Sequence, residues 1–287
     1  MAVTELNSRR AREKTAFVLG GGGNLGAVQV GMLRALSSRG IVPDVIVGCS
    51  VGALNSAAVA GDPTPEGIDR LTETWVRLRP DDVFPSSRLN GPWMLMRKAL
   101  SLCSNDALRD LIHRCAHFER FEDAAIPFEV VAASLHSGRE RWFSSGPIVE
   151  PILASAALPA VLPPVEIDGE LFIDGAVVDN VPISRALHHG CTRIYVLHVG
   201  NFDRPRPKPQ RPIDVLLQSF SIARGYRFLA EAHAEPPPGV EICTLPAIDP
   251  GPLKRNDFSR TRELVDRAAY AAGAYLDGLQ RVAAGAS

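Results

Sequence analysis

Two short apolar segments near the start of the sequence each lead through a glycine turn directly into a helical pattern. Ala16–Leu19 is followed by a glycine loop and then by Gly26–Arg39, which has apolar residues at helical spacing. Pro43–Gly48 is followed in the same way by Val51–Ala60. Buried strands that alternate with helices in this order predict a parallel sheet covered by helices.

The remaining sequence continues this alternation. Residues 61–122 are predicted to be mainly helical. Later strands are expected at 128–135, 140–143, 193–199 and near 240–245, with a hairpin over 164–173 and helices at 148–156, 213–233 and 257–282. We therefore expect a loose tail over residues 1–14. It should be followed by a single α/β domain over 15–287 whose central sheet is mostly parallel and carries helices on both faces.

Composition narrows the function. The formal net charge of −1 lacks the basic excess typical of a domain that binds nucleic acid. Five scattered cysteines form no CxxC pair, which argues against a disulfide framework or a zinc site. No segment approaches the roughly 20 apolar residues that a membrane-spanning helix requires. We expect a soluble cytoplasmic protein that needs no metal or cofactor.

Residues 48–52 form a GxSxG pentapeptide, Gly48-Cys49-Ser50-Val51-Gly52, between a predicted strand and a predicted helix. This context is the one in which the motif presents a nucleophilic serine on a sharp turn. The helix that follows directs its N-terminal N–H groups and the positive end of its dipole toward the reacting centre. We predict Ser50 as the nucleophile and Cys49 as a small buried apolar residue.

The glycine loop Gly20–Gly26, with the sequence GGGGNLG, has two possible functions. Successive glycine N–H groups can converge on one negative oxygen, as an oxyanion hole requires. Gly21, Gly23 and Gly26 also satisfy the GxGxxG pattern of dinucleotide-binding loops, which need an acidic residue near the end of the next strand. The only acidic residue of that strand, Asp44, lies at its opposite end, so the oxyanion hole is favoured.

Ser50 needs a proton acceptor, and the sequence offers two kinds. Seven histidines are present, none of them in a recognisable catalytic motif. Two aspartates, Asp168 and Asp174, are each followed by glycine in the predicted hairpin region. A carboxylate at a strand end could reach across a pocket, although Asp-Gly is also a common turn signal. Spacing alone does not choose between Asp168 and Asp174.

A glycine loop, a GxSxG motif one helix later and a downstream Asp-Gly-Ala, in this order, resemble the patatin-like phospholipase family. The resemblance covers about residues 15–200, leaves 201–287 as a helical and β extension, and is strongest over Ala154–Pro182, ASAALPAVLPPVEIDGELFIDGAVVDNVP. It implies a three-layer α/β fold and a dyad of Ser50 as nucleophile and Asp174 as base. Asp168 then becomes a hairpin residue.

The same resemblance implies roles for the glycines and their neighbours. The oxyanion hole is placed on the backbone of Gly21, Gly22 and Gly23, with the donated N–H groups expected above all from Gly22 and Gly23. The residues implied to support these motifs are Gly26, Gly48, Gly52, Gly175 and Ala176, and Asn180 and Pro182 are expected to be structural.

The implied activity is hydrolysis of a lipid ester in two acyl-transfer steps, without metal or cofactor. One departure from the family pattern concerns the substrate. The family usually has Arg or Lys just before the last glycine of the loop, where this sequence has Leu25. Without that cation, a neutral acyl ester or a lysophospholipid is favoured over an anionic phospholipid.

Two other functions remain open. An α/β-hydrolase with a Ser–Asp–His triad would take its base from His188, His189, His198 or His233, but that fold normally places several strands before its nucleophile. A catalytically silent lipid-binding protein is the second alternative, although all three motifs are intact.

Two segments suggest transient membrane contact. Pro92–Leu102 reads as an interfacial lid helix or as a helix packed on the core. Arg204, Arg206, Lys208 and Arg211 alternate with prolines in a loop that either contacts anionic lipid or is simply solvated.

Overall fold

The computed structural model describes residues 13–84, 101–200, 208–232, 234–254 and 256–285. An eight-stranded sheet runs through these residues in the order β5-β6-β3-β2-β1-β7-β8, with β4 also paired to β3. The strands are β1 Thr15–Leu19, β2 Val45–Cys49, β3 Phe128–Ser134, β4 Glu140–Phe143, β5 Val165–Ile167, β6 Glu170–Asp174, β7 Arg193–Leu197 and β8 Glu241–Thr244. Five neighbouring strands of the sheet are parallel to one another, namely β3, β2, β1, β7 and β8. The strands β4 and β6 pair with β3 in antiparallel fashion, and β5 pairs with β6 in the same way.

Eight α-helices connect and cover these strands in the described part of the chain. They are α1 Gly26–Ser37, α2 Val51–Gly61, α3 Pro65–Arg77, α4 Asp106–Cys115, α5 Val149–Ser155, α6 Ile183–His188, α7 Pro212–Ala232 and α8 Thr261–Gly285. The start of α3 shows how the sequence sets a helix end. Thr64 accepts a hydrogen bond from the Gly67 N–H, and Pro65 occupies the first helical position, where no N–H is required.

The core lies on both faces of the sheet. Along β1, Phe17 and Leu19 join the larger apolar cluster with α1, α2, α3, α4, α5 and α8, whereas Ala16 and Val18 join a smaller cluster with α6 and with Phe228 of α7. Side chains alternate between the two faces of a strand, so a central strand buried on both faces reads as a continuous apolar run. The result is the three-layer α/β architecture.

The register of β3 brings two strand ends together. Val130 and Val131 pair with both β2 and β4, so β2 and β4 lie on opposite sides of β3. Ala132 pairs with both β4 and Asp174 of β6, so β6 lies on the same side as β2. β2 runs parallel to β3 and β6 runs antiparallel, so their carboxyl ends meet at neighbouring residues of β3. Ser50 and Asp174 stand at this junction.

Outside 61–122, the observed helices and strands agree with the predicted ones to within a few residues at each end, with one omission. The described residues of 61–122, predicted to be mainly helical, contain the two helices α3 and α4 with non-helical residues beside them. Helix α6 was not predicted, because its six residues are too few to show a helical period. The strand β8 of the C-terminal extension extends the same sheet beside β7, and the single domain over 15–287 stays a prediction.

Several predicted segments lie outside the described residues. These are residues 1–12 of the predicted tail, 92–100 of the proposed lid helix, and Arg204 and Arg206 of the basic loop. Among the helices described, none combines the length and the apolar character needed to cross a membrane.

Candidate active site

Ser50 lies on the sharp turn between β2 and α2. Its backbone has φ 55° and ψ −122°, a conformation that residues other than glycine rarely adopt. Such strain costs on the order of 1–3 kcal/mol and persists only where the surrounding structure enforces it. Here the Ser50 N–H donates to Oγ of the buried Ser155, 2.8 Å away, which ties the turn to α5. The turn presents Ser50 half-exposed at the start of α2.

The Ser50 hydroxyl donates a hydrogen bond to Oδ2 of Asp174, 2.8 Å away. Asp174 is the last residue of β6 and is only 3% exposed. Its second oxygen, Oδ1, accepts the Ala176 N–H at 2.9 Å, which fixes the orientation of the carboxylate. Ser50 and Asp174 are 124 residues apart in the sequence. The pairing of β2 and β6 with neighbouring residues of β3 brings their side chains together.

Burial controls the charge of Asp174. Loss of surrounding water raises the pKa of this carboxyl to about 6, against the lowering effects of hydrogen bonds from Ala176 and Ser50 and of the positive charge of Arg224. The apolar segment 156–163 runs beside it, since the Asp174 N–H donates to the Ala157 carbonyl at 3.0 Å. The group is therefore mostly ionised at neutral pH and yet more basic than an exposed aspartate.

Cys49, the neighbouring potential nucleophile, is fully buried. It packs against Val131 and Ala176, with its sulfur 3.9 Å from Oδ1 of Asp174. Burial, and next the negative charge of Asp174, raise the pKa of this thiol well above its usual value. Because the thiolate is the reactive form, Cys49 is a structural residue here.

The glycine loop lies against Ser50, since a Cβ on Gly21 would sit 3.1 Å from the Ser50 Cβ. The Gly21 N–H donates to the Asn180 carbonyl at 3.1 Å, so of the three glycines proposed for the oxyanion hole, Gly21 has its amide bonded within the protein. The amides of Gly22 and Gly23 have no acceptor among the described residues. Gly23 has φ 61°, which glycine adopts without strain.

A chain of buried polar side chains, missed in the sequence, holds both ends of the loop. Gln29 Nε2 donates to the carbonyls of Gly20, at 2.6 Å, and of Leu197, at 3.0 Å. Asn55 Nδ2 donates to Gln29 Oε1 at 2.9 Å and to the Gly26 carbonyl at 3.2 Å. Trp75 Nε1 completes the chain with a 2.8 Å bond to Asn55 Oδ1. A polar residue within the apolar pattern of each helix was the available signal.

Replacing Gln29 with leucine is expected to lower the free energy of unfolding by roughly 1–3 kcal/mol, because buried partners then lose their hydrogen bonds. Trp75→Phe keeps the aromatic packing and removes a single bond, so it should cost about 1 kcal/mol. Urea titration of wild type and both variants measures the two values. Equal stability of Gln29→Leu and wild type would show that these bonds contribute nothing net.

The other proposed bases lie elsewhere or have other partners. Asp168 is exposed in the two-residue turn between β5 and β6, with Asp168 and Gly169 both at positive φ, as a hairpin turn requires. His189 Nε2 contacts Glu129 at 3.3 Å, and the His198 ring stacks on Phe228. His233 lies outside the described residues.

In the parts of the chain described, no three His, Cys, Asp or Glu side chains are grouped so that they could hold a metal ion. One strand, β1, precedes the serine strand in the chain described from residue 13.

The three-layer α/β architecture and the strained serine turn place the chain among the α/β proteins that carry a GxSxG motif between a strand and a helix. Within that class, residues 17–187 match the model of the family described as patatin-like phospholipase. This match covers more than half of the sequence, and the chain belongs to that family.

Individual relatives are similar over the same region. The chain is 29% identical over 204 residues to lysophospholipase NTE1 of Cryptococcus neoformans, which covers 70% of this chain and 12% of the relative. It is 32% identical over 175 residues to an uncharacterized NTE family protein of Mycobacterium tuberculosis, covering 60% and 45%. The chain therefore spans less than half the length of these relatives. The solved structure of VipD from Legionella pneumophila aligns with a TM-score of 0.49 and 16% identity, covering 93% of this chain and 67% of VipD.

Proposed function

We propose that the chain is a serine hydrolase that cleaves carboxylic ester bonds of lipids, with Ser50 as nucleophile and Asp174 as base. The observation that carries this proposal is the 2.8 Å hydrogen bond from the Ser50 hydroxyl to the buried carboxylate of Asp174. A nucleophile that donates to an adjacent base is the arrangement that activates a weakly acidic hydroxyl.

The reaction follows in two balanced steps. Asp174 accepts the Ser50 proton as Oγ attacks the ester carbonyl, and the N–H groups of Gly22 and Gly23 hold the oxyanion. Asp174 then returns the proton to the departing alcohol, which leaves an acyl group on Ser50. In the second step Asp174 takes a proton from water as the water oxygen attacks the carbonyl of the acyl-enzyme. Asp174 then returns this proton to Ser50 Oγ as the bond between the acyl group and Oγ breaks, which releases the fatty acid and restores the Ser50 hydroxyl. This chemistry requires no metal or cofactor.

Two observations bear on which lipid esters the proposed enzyme cleaves. A relative of this chain is named lysophospholipase, which supports a single-chain phospholipid as substrate. Leu25 is half-buried against the core and puts no cation beside the glycine loop at the position where the family usually has one. We infer a neutral acyl ester or a lysophospholipid, met at a membrane surface by a protein of the cytoplasm.

A fluorophosphonate probe tests the assignment, because it phosphonylates an activated serine irreversibly. We expect stoichiometric labelling of Ser50, mapped by peptide mass spectrometry, and simultaneous loss of p-nitrophenyl ester hydrolysis. Cys49→Ala serves as the matched control and should be labelled as wild type is. A folded protein that neither reacts with the probe nor hydrolyses any ester of short to long chain would instead be a lipid-binding protein.

A further inference from the structure

The residues that follow Asp174 contact both halves of the proposed catalytic centre. The Ala176 N–H donates to Oδ1 of Asp174 at 2.9 Å, which orients the base. Further along the same stretch, the Asn180 carbonyl accepts the Gly21 N–H at 3.1 Å, which anchors the glycine loop. The base and the loop are therefore held by one piece of chain, called segment 175–180 below. A shift of this segment would move both of them.

Segment 175–180 contains a buried carboxylate. The N–H groups of Val178 and Asp179 both donate to the Gly175 carbonyl, at 3.0 and 2.8 Å, so the backbone makes a tight turn. This turn places the Asp179 side chain inside the protein, where its Oδ2 accepts no hydrogen bond from the described residues. A charged carboxylate in such a place is costly unless an opposite charge lies beside it. The segment therefore needs a nearby cation when Asp179 is ionised.

Arg227 of α7 supplies this cation. Its Nη2 lies 3.6 Å from Asp179 Oδ2, and its Nη1 donates a hydrogen bond to the Val178 carbonyl. The guanidinium also contacts Glu231 of α7 at 3.1 Å and Glu140 of β4 at 4.0 Å. The planar fork of an arginine side chain can hold several acceptors at once. Arg227 therefore joins α7 and β4 to the segment that carries the base.

The charges around Asp179 make this contact dependent on pH. Burial first, and next the negative charge of Glu231, raise the pKa of the Asp179 carboxyl to about 7, whereas the positive charge of Arg227 lowers it. Glu140 adds to the rise, and the nearby Cys49 thiol stays neutral because burial raises its pKa. A pKa above the ordinary 3.8 means that ionisation of Asp179 costs stability as the pH rises through about 7. Arg227 offsets this cost.

We propose that Arg227 is a positioning residue of the proposed lipid hydrolase, which aligns Asp174 with the glycine loop by holding the Val178 carbonyl and the Asp179 carboxylate. This inference rests on the proposed function, because it concerns the rate of the same reaction. A misplacement of about 1 Å at a catalytic centre can lower the rate about a hundredfold. The competing role is that of an ordinary surface ion pair, since Arg227 is 44% exposed and such pairs contribute little.

Steady-state ester hydrolysis by Arg227→Met, from about pH 6 to about pH 9, tests the proposal. The measured kcat is divided by the fraction of Ser50 that a fluorophosphonate probe labels, so that unfolded protein does not count. We expect kcat to be about threefold below wild type at the acidic end and about thirtyfold below it at the alkaline end, with KM within about twofold. The loss grows with pH because Asp179 becomes a buried charge without its cation.

Two further variants test the mechanism of this loss. Arg227→Lys keeps a positive charge and should stay within about threefold of the wild-type kcat at every pH. Asp179→Asn removes the buried charge, so combining it with Arg227→Met should restore kcat to within about fivefold of wild type at the alkaline end. A purely structural role would lower the labelled fraction of the variants and leave kcat per labelled serine unchanged.

Arg267 of α8 provides the matched control. Its side chain is also 44% exposed, and it pairs with Glu263 one turn earlier in its own helix at 3.1 Å. It also donates to a backbone carbonyl of another segment, that of Asp249, at 2.9 Å. Arg267→Met therefore removes the same kinds of contact away from segment 175–180. We expect this variant to keep the kcat and the pH profile of wild type.

The outcomes separate the positioning role from the enzyme. If wild type hydrolyses esters and Arg227→Met matches its kcat at every pH, the positioning role is wrong and the proposed hydrolase stands. A loss that is equal at every pH and is not restored by Asp179→Asn would also overturn the proposal, because the carboxylate would then have no part in it. If wild type cleaves no ester and Ser50 is not labelled, the proposed function fails and the positioning role fails with it.

Discussion

Exchanging Asp174 for asparagine is expected to lower kcat for ester hydrolysis by about 10³-fold or more while the protein stays folded. A neutral amide keeps the size of the side chain but cannot accept the proton that Ser50 must release, and general base catalysis alone is worth about 10²–10⁴-fold. Ser50→Ala should fall to background as well, because no acyl-enzyme can form. Steady-state hydrolysis of p-nitrophenyl esters measures both losses.

Asp168→Asn is the matched control for this experiment. The same chemical change in the exposed hairpin turn should leave kcat within about twofold of wild type, since asparagine is well suited to such turns. Full activity of Asp174→Asn would mean that the base is misassigned. The histidines, including His188 and His233, would then have to be replaced one at a time.

The pH profile of wild type provides independent evidence on Asp174. With a pKa of about 6 for this carboxyl, kcat/KM should fall tenfold per pH unit below about pH 6, because only the ionised form accepts a proton. The same shift acts on stability with the opposite sign. A pKa raised above its ordinary value of 3.8 means that the stabilisation present at low pH is lost as the pH rises through about 6.

Gly52→Ala is expected to destabilise the protein by roughly 4 kcal/mol or more, or to prevent folding. A Cβ at this position would overlap the carbonyl oxygen of Leu19 and lie 2.6 Å from its carbonyl carbon and 2.8 Å from the oxygen of Gly20. These are backbone atoms at the end of β1 and cannot rotate away. The start of α2 would have to separate from β1, which also moves the serine turn away from the glycine loop.

Gly278→Ala provides the comparison, because Gly278 is also helical and a Cβ there would meet nothing within 4 Å. This variant should be stabilised by about 0.5–1 kcal/mol through the better helix propensity of alanine. Chemical denaturation of the two variants beside wild type measures the contrast. A stable, fully active Gly52→Ala would show that β1 and α2 are not packed as closely as described.

Much of the fold could be predicted because the strands that form its centre are buried on both faces. The segments that form these strands are almost continuous apolar runs, at residues 16–19, 45–49 and 193–197. Such a short apolar run is typical of a strand buried on both faces of a parallel sheet. Helix α6 is too short for a period to emerge. The order of the strands, which depends on contacts between distant segments, could not be read from local patterns.

The site was predictable where a short motif encodes its own geometry. The turn around Ser50 needs glycines at fixed positions, so the pentapeptide was recognisable. Residue spacing could not separate Asp174 from Asp168, because that choice depends on the register of β6 against β3. Gln29 and Asn55 were visible only as polar residues within apolar helical patterns. The partners of Gln29 and Ser155 include Leu197 and Ser50, which lie in distant segments and could not be predicted from local patterns.

The position of β1 in the sheet also governs the behaviour of the nascent chain. Of the described strands, β1 is synthesised first. It pairs with β2 on one side and with β7 on the other, and β7 begins only at Arg193. Until then the edge of β1 offers unpaired backbone groups in a strongly apolar segment, a template for intermolecular pairing. Fragments that end between residues 50 and 190 should therefore aggregate during synthesis or require a chaperone, however well their helices form.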